Sequence, residues 1–207
     1  MTDMETGTQQ APQILIYTEQ TPNPESLKFV CNRMLYQGIA EFKDVESARE
    51  WSGLAEALFG QESVRGVYIS NNFVTITKKP EYEWHELMVP LKDFVKQYLS
   101  SGSEIIKDGY QDFIQQNHGA AIEDQYAGEE LELVRRIREI IDHYVRPAVE
   151  MDGGNIEFKS YHEGIVTVIM QGSCSGCPSS TVTLKSGIEG LMKRMIPSVK
   201  EVVAEAM

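Results

Sequence analysis

A glycine-rich run of this chain reads Gly172-Ser173-Cys174-Ser175-Gly176-Cys177-Pro178. The residues before it have strand character, and the residues after it have helical periodicity. Pro178 suits the first position of a helix, because its φ is already near the helical value and its missing N–H is not needed there. The run therefore predicts a strand, a loop that carries two cysteines three residues apart, and a helix.

An α+β domain is predicted around this loop over residues 129–207. Its expected elements are helix 129–145, strands 156–161 and 165–170, helix 181–195 and a final strand 199–204. The first helix has an apolar stripe from Leu133 to Tyr144, with glutamates at the end where the helix dipole favours anions. The two strands flank His162-Glu163-Gly164, which is typical of a hairpin turn.

A second small α+β domain is predicted over residues 13–100. Its expected elements are strands 14–19 and 27–31, helix 47–59, a hairpin of 66–70 and 73–77 around two asparagines, and helix 84–99. Residues 1–12 read as a flexible tail. Residues 101–128 read as an acidic linker with one short helix at 110–116, because residues 101–127 hold five acids and one base. The predicted fold class is α+β, two small domains joined by an acidic linker.

The bulk composition excludes several classes of partner. The 207 residues carry a net charge of -12, which argues against nucleic acid or an anionic membrane surface as a partner. No stretch approaches the ~20 apolar residues of a membrane helix. The first thirteen residues contain no Lys or Arg and so lack the charged region of a secretory or mitochondrial leader. Three cysteines are too few for a disulfide framework, and the expected location is cytoplasmic.

The two loop cysteines can hold only half of a tetrahedral metal site. Cys174 and Cys177 supply two thiolates, and the one remaining cysteine, Cys31, is distant in sequence. A thiol near a helix N-terminus ionises more easily, and the thiolate is the form that binds metal or attacks disulfides. If the pair binds a metal centre, the other ligands must come from outside this chain.

The residues alone leave three interpretations open. In the first, two chains hold one iron–sulfur cluster between them, since a 4Fe-4S cluster normally takes four thiolates. In the second, the pair cycles between dithiol and disulfide in an oxidoreductase. In the third, a zinc ion shared between chains has a structural role. Two cysteines that only pack in a core are a weaker fourth interpretation, because Gly- and Ser-rich loops seldom lie in a core.

The sequence resembles one known family over most of its length. The runs RPAVEMDGGNIEF (146–158) and QGSCSGCPSSTVTLKSGIE (171–189) closely resemble the C-terminal domain of the NifU-like (Nfu) iron–sulfur proteins. The first domain is similar to the N-terminal domain of that family, on TPNPESLKF (21–29), LAEALF (54–59), GVYISNNFVTITK (66–78) and Trp84. The tail and the linker lie outside the resemblance.

The resemblance implies a non-enzymatic carrier of iron–sulfur clusters. Its ligands would be Cys174 and Cys177 from each of two chains, which form a homodimer around one 4Fe-4S cluster, with 2Fe-2S as the alternative. Its partners would be apo iron–sulfur client proteins and an upstream assembly scaffold. Asp152-Gly153-Gly154 would form a turn rather than supply ligands, and Cys31 gains no support as a ligand. We expect the first domain to recognise partners.

Overall fold

The computed structural model describes residues 13–118, 125–175 and 178–206. These residues form two α+β domains, each with its own sheet and its own apolar core, which confirms the predicted fold class. Within the described ranges, no helix combines the length and the apolar character needed to cross a membrane.

The first domain has a five-stranded antiparallel sheet in the order β1-β2-β5-β4-β3. The strands are β1 Ile16–Gln20, β2 Ser26–Cys31, β3 Tyr36–Phe42, β4 Val64–Asn71 and β5 Phe73–Lys78. The helices are α1 Val45–Trp51, α2 Gly53–Phe59, α3 Trp84–Ser100 and α4 Tyr110–His118. Helices α2 and α3 pack through Leu54, Leu58, Leu91 and Val95 into a core shared with the sheet. The other face of the sheet is therefore left for different contacts.

The predicted helix 47–59 is divided at Ser52. This residue has an extended backbone, its hydroxyl accepts a hydrogen bond from the Ala55 N–H, and it donates one to the carbonyl of Ile105. A serine hydroxyl that satisfies the first free N–H groups of a helix favours a new start there. The sequence analysis also missed β3, whose pairing with β4 is interrupted by an irregularity between Tyr36 and Ile39.

Part of the stretch expected as a linker packs on the first domain. Helix α4 begins at Tyr110, which is buried and lies against Phe42 and Trp51 at ring-centroid distances of 5.7 Å each. Ile105, Ile106 and Ile114 pack against the same core. The acidic stretch therefore contributes apolar side chains to the first domain, a contribution that its mixed composition and weak periodicity did not indicate.

The second domain has a three-stranded sheet in the order β6-β7-β8. Its elements are helix α5 Gly128–Ile140, a π-helical turn Ile141–Val145, helix α6 Arg146–Met151, strands β6 Gly154–His162 and β7 Ile165–Gly172, helix α7 Pro178–Met195 and strand β8 Glu201–Ala206. Strands β6 and β7 form the predicted hairpin, and α7 crosses from β7 to the parallel strand β8. The sequence analysis ended the first helix of this domain at Val145, whereas α6 continues the helical path to Met151 and buries Val149.

Candidate metal centre

The cysteine loop joins β7 to α7, as the sequence predicts. Strand β7 ends at Gly172 and α7 begins at Pro178, so Cys174 lies just before the N-terminal end of a helix. The structure describes Cys174, whereas Cys177 lies outside the described residues. The pairing of the two thiols at one metal centre stays a prediction.

The turn Asp152-Gly153-Gly154 lies directly against the cysteine loop. Gly153, with a φ of +81°, is the middle residue of this turn, and its carbonyl accepts a hydrogen bond from the Ser173 N–H at 3.2 Å. The Ser173 hydroxyl donates to the carbonyl of Asp152 at 2.6 Å. A methyl group on Gly154 would lie 3.0 Å from Cys174 Sγ, so only a glycine lets the turn come this close. The turn thus supports the loop through its backbone.

The thiol of Cys174 is buried rather than presented to solvent. Only 7% of the residue is exposed, and it packs in the core of the second domain. Burial raises the pKa of the thiol to about 11, the Ser173 hydroxyl opposes this shift, and the charges of Asp152 and Glu41 add to it. We expected the helix N-terminus to ease ionisation of this thiol. The raised pKa, with desolvation as its largest cause, runs against that expectation.

The first domain contacts this loop through one row of side chains that crosses its sheet. Strand register places Lys28 opposite Thr75, Thr75 opposite Tyr68, and Tyr68 opposite Glu41. Directly opposite residues of antiparallel strands share a face of the sheet. We call these four residues the docking row, since each of them binds a backbone group of the second domain.

The docking row binds the two backbone segments that frame the cysteine loop, residues 151–154 and Gly172. Three of its members donate to carbonyls: Lys28 Nζ to Met151 at 3.0 Å, Thr75 Oγ1 to Gly153 at 2.8 Å and Tyr68 OH to Gly154 at 3.4 Å. At the end of the row, Glu41 Oε1 accepts from the Gly172 N–H at 2.8 Å. The partners lie in the two turns, 151–154 and 172, that frame the cysteine loop.

Glu41 is the charged member nearest the cysteine loop. Besides the Gly172 N–H, its Oε1 accepts a hydrogen bond from the Ser175 hydroxyl at 3.4 Å, while Oε2 is buried without a hydrogen-bond partner among the described residues. Desolvation raises the pKa of the carboxyl, and the bond from Gly172 opposes that shift. A carboxylate next to the loop therefore disfavours negative charge there.

The sequence analysis missed the docking row as a functional feature. One signal was present, because the predicted hairpin around Asn71-Asn72 places Tyr68 and Thr75 opposite each other on one face. Lys28 and Glu41 could not be added, since that step needs the strand order and the strand β3 that was not predicted.

Within the described residues, no group of three or more His, Cys, Asp and Glu side chains is arranged to hold a metal ion. Cys174 is the ligand candidate that the described structure places in the loop, and Cys31 lies in the core of the first domain. A complete metal centre at this loop requires donors in addition to Cys174.

Comparison with known proteins covers both domains. Residues 16–102 match the family described as "Scaffold protein Nfu/NifU N terminal", and residues 137–203 match the "NifU-like domain". Three relatives are each 37% identical to this chain. They are NifU-like protein 4, mitochondrial (93% of this chain, 66% of that protein) and NifU-like protein 5, mitochondrial (93% and 68%), both of Arabidopsis thaliana, and NFU1 iron-sulfur cluster scaffold homolog, mitochondrial, of Drosophila willistoni (91% and 63%). The chain thus spans about two thirds of the length of these relatives.

These relatives correct one expectation and confirm others. The cytoplasmic location expected from the sequence is wrong by this comparison, because the relatives are named as mitochondrial proteins. The lack of Lys and Arg in the first thirteen residues was not a sound basis for that expectation. The resemblance is confirmed in both domains, and a scaffold family agrees with the expectation that the chain is not an enzyme. With matches in both halves and a relative covered over two thirds of its length, the chain belongs to the NifU-like (Nfu) family.

Proposed function

We propose that this chain is an iron–sulfur cluster carrier. In this proposal, Cys174 and Cys177 of two copies hold one 4Fe-4S cluster between them and release it to apo iron–sulfur proteins. The observation that carries the proposal is the position of Cys174 in a glycine-framed loop between β7 and α7. The Drosophila relative is named as an iron-sulfur cluster scaffold homolog, which supports the same role.

The cluster is cargo rather than a fixed part of the fold. Each domain has its own apolar core, so neither core needs a metal to close. A cluster held between two copies lies at an interface, where incoming client thiols can reach it. Four thiolates from two chains match the usual ligand count of a 4Fe-4S cluster, and a 2Fe-2S cluster is the alternative cargo.

Ligand formation requires the thiols to lose their protons. Because burial raises the pKa of Cys174 to about 11, the thiolate is scarce in the metal-free chain at neutral pH. Metal binding to such a thiol releases a proton, so loading becomes stronger as the pH rises. A poorly ionised thiol is also a weak nucleophile, which protects it from unwanted reactions before loading.

Anaerobic reconstitution with iron and sulfide tests the proposal. The wild-type chain should bind about four iron atoms per dimer and shift from monomer to dimer on a sizing column. The variant with Cys174→Ser and Cys177→Ser should lose both effects. Cys31→Ser is the matched control, because that cysteine is 1% exposed in the other domain and should leave loading intact.

Two results would count against the proposal. Iron loading that survives serine at both loop positions would remove the assigned ligands. Catalytic reduction of a disulfide substrate by the iron-free chain would favour the dithiol–disulfide oxidoreductase instead. Transfer to clients is measured by the recovery of activity in an apo iron–sulfur enzyme mixed with the loaded carrier, with free iron and sulfide as the control.

A further inference from the structure

We propose that the first domain is a removable cap on the cysteine loop of the second. In this structure the docking row binds the turns that frame Cys174, and the cap must lift before two copies can share a cluster. This inference rests on the proposed function, since it concerns access to the same loop.

The contacts of the first domain bracket Cys174 on both sides. Gly172, two residues before it, donates its N–H to Glu41, and Ser175, one residue after it, donates its hydroxyl to the same carboxylate. The Ser175 carbonyl accepts a hydrogen bond from the Asn23 side chain at 3.4 Å. The first domain therefore binds the backbone on either side of the thiol that has to reach a second copy.

The close fit of the turn depends on a glycine. The three heavy atoms nearest to a methyl group placed on Gly153 all belong to the docking row: Thr75 Oγ1 at 2.8 Å, and Lys28 Cδ and Cβ at 3.3 and 3.5 Å. A methyl group on Gly172 would lie 3.0 Å from the ring of Tyr68. The sheet therefore lies directly on the turns, with no space for a second copy of the loop between them.

Separation of the cap leaves both main apolar cores intact, while it uncovers Tyr68, which packs with Val30 and Phe73 in a small buried cluster. The two apolar cores are distinct, and the docking row joins the domains by hydrogen bonds, four to backbone groups and one to the Ser175 hydroxyl. An open cleft of about 710 Å³ lies beside Glu41, with Tyr110 and Phe42 on one wall and Glu157 and Gln171 on the other. Hydrogen bonds next to an open cleft can exchange their partners for water when the domains part.

A cluster and the cap compete for the same loop. A cluster that bridges two copies draws two loops together, and a domain seated on either loop blocks that approach. Two states that exclude each other are linked. Because a bridging cluster needs the cap open on both copies, a change that raises the open fraction of each chain by a given factor strengthens loading per dimer by the square of that factor, up to the limit set by the fully open chain. The first domain then regulates loading.

Alkylation of Cys174 in the metal-free chain tests the cap directly. The measurement uses full-length chain with Cys177→Ser, so that the loop holds one thiol, and iodoacetamide labelling is followed by peptide mass spectrometry. Thr75→Leu removes the hydroxyl that binds Gly153 and fills the space that the turn occupies. We expect labelling of Cys174 to become about tenfold faster, because the opened state is the reactive one.

Thr77→Leu is the matched control, since Thr77 lies two residues further on the same strand and face, and it should leave the rate unchanged. Cys31 reports whether the first domain remains folded, because it is buried in that core and should stay unlabelled in all variants. If Thr75→Leu exposes Cys31, Lys28→Ala replaces it, with an expected increase of about threefold from the lost bond to Met151.

An unchanged labelling rate in the folded variants overturns the cap, because the burial of Cys174 would then come from its own domain alone. Iron loading is measured separately, on chains that keep Cys177. Thr75→Leu should load with higher affinity than wild type. A wild-type chain that binds no iron would refute the proposed function while the labelling result still decides the cap.

Discussion

The contact between Gly153 and Thr75 gives a prediction that can be worked out in free energy. Gly153 has a φ of +81°, so an alanine there carries about 1 kcal/mol or more of backbone strain. Its methyl group would lie 2.8 Å from Thr75 Oγ1 and displace the hydroxyl from the Gly153 carbonyl. The lost hydrogen bond adds about 1 kcal/mol, so Gly153→Ala should cost about 2 kcal/mol in total.

A matched glycine separates the two contributions. Gly128 also has a positive φ, +58°, and a methyl group there would meet nothing within 4 Å. Gly128→Ala should therefore cost the strain alone, about 1 kcal/mol. Both changes reduce the freedom of the unfolded chain in the same way, so this effect cancels in the comparison. The difference between the two variants should be about 1 kcal/mol.

A double-mutant cycle with Thr75→Ala isolates the contact between the domains. Removing the hydroxyl relieves the close approach, so Gly153→Ala should cost about 1 kcal/mol less in the Thr75→Ala background than in the wild type. Urea unfolding followed by circular dichroism measures the four free energies. If Gly153→Ala costs the same in both backgrounds, the docking row does not hold this turn in solution, and the reasoning is wrong.

Three further predictions concern the framework around the site. Ser52→Ala should destabilise the first domain by about 2 kcal/mol in urea unfolding, because it removes the cap of α2 and the bond to Ile105. Ser47→Ala, at a half-buried site on α1, removes only a local bond to the Asp44 carbonyl and should cost less than half of that, and equal costs would contradict the role of Ser52. Ile137→Ala should lower the free energy of unfolding by about 3 kcal/mol, because it leaves a cavity in the core of the second domain. Val182→Ala, at an exposed position, is the control and should change it by about zero. A loss below about 1 kcal/mol for Ile137→Ala would show that α5 does not close this core. Burial raises the pKa of Cys31 to about 11, so the native state loses stability as the pH rises from about 9 towards 11. The loss should be about 1 kcal/mol at pH 10 relative to pH 7. Cys31→Ala should remove this part of the pH dependence, and an identical pH dependence in both proteins would refute the prediction.

Local patterns predicted most of the elements that surround the site. The hairpin of β4 and β5 follows from Asn71-Asn72 between two β-branched runs, and the start of α7 follows from Pro178 after a glycine-rich loop. These features depend on a few neighbouring residues, so the sequence is enough to find them. The division at Ser52 depends on a bond to Ile105, 53 residues away, and could not be predicted from local periodicity.

The sequence predicted only the part of the candidate site that lies in the second domain. The cysteine spacing indicated the loop and its position before a helix, but the burial of Cys174 depends on how the loop packs on the second core and against the docking row. The docking row depends on strand order, because residues as far apart as Lys28 and Glu41 become neighbours only when the sheet forms. A pattern within one segment carries no information about such a pairing.

The docking row holds its partner mainly through peptide groups: Met151, Gly153, Gly154 and Gly172 are bound at carbonyl or amide atoms, and the Ser175 hydroxyl on Glu41 is the added side-chain contact. Chemical identity at neighbouring loop positions is thereby uncoupled from the fit of the two domains, provided that the turns keep their shape. A protein engineer could exchange sulfur for imidazole or carboxylate donors beside these turns to accept a different cargo. In the proposed carrier, the first domain would still act as the cap that controls when this cargo is taken up.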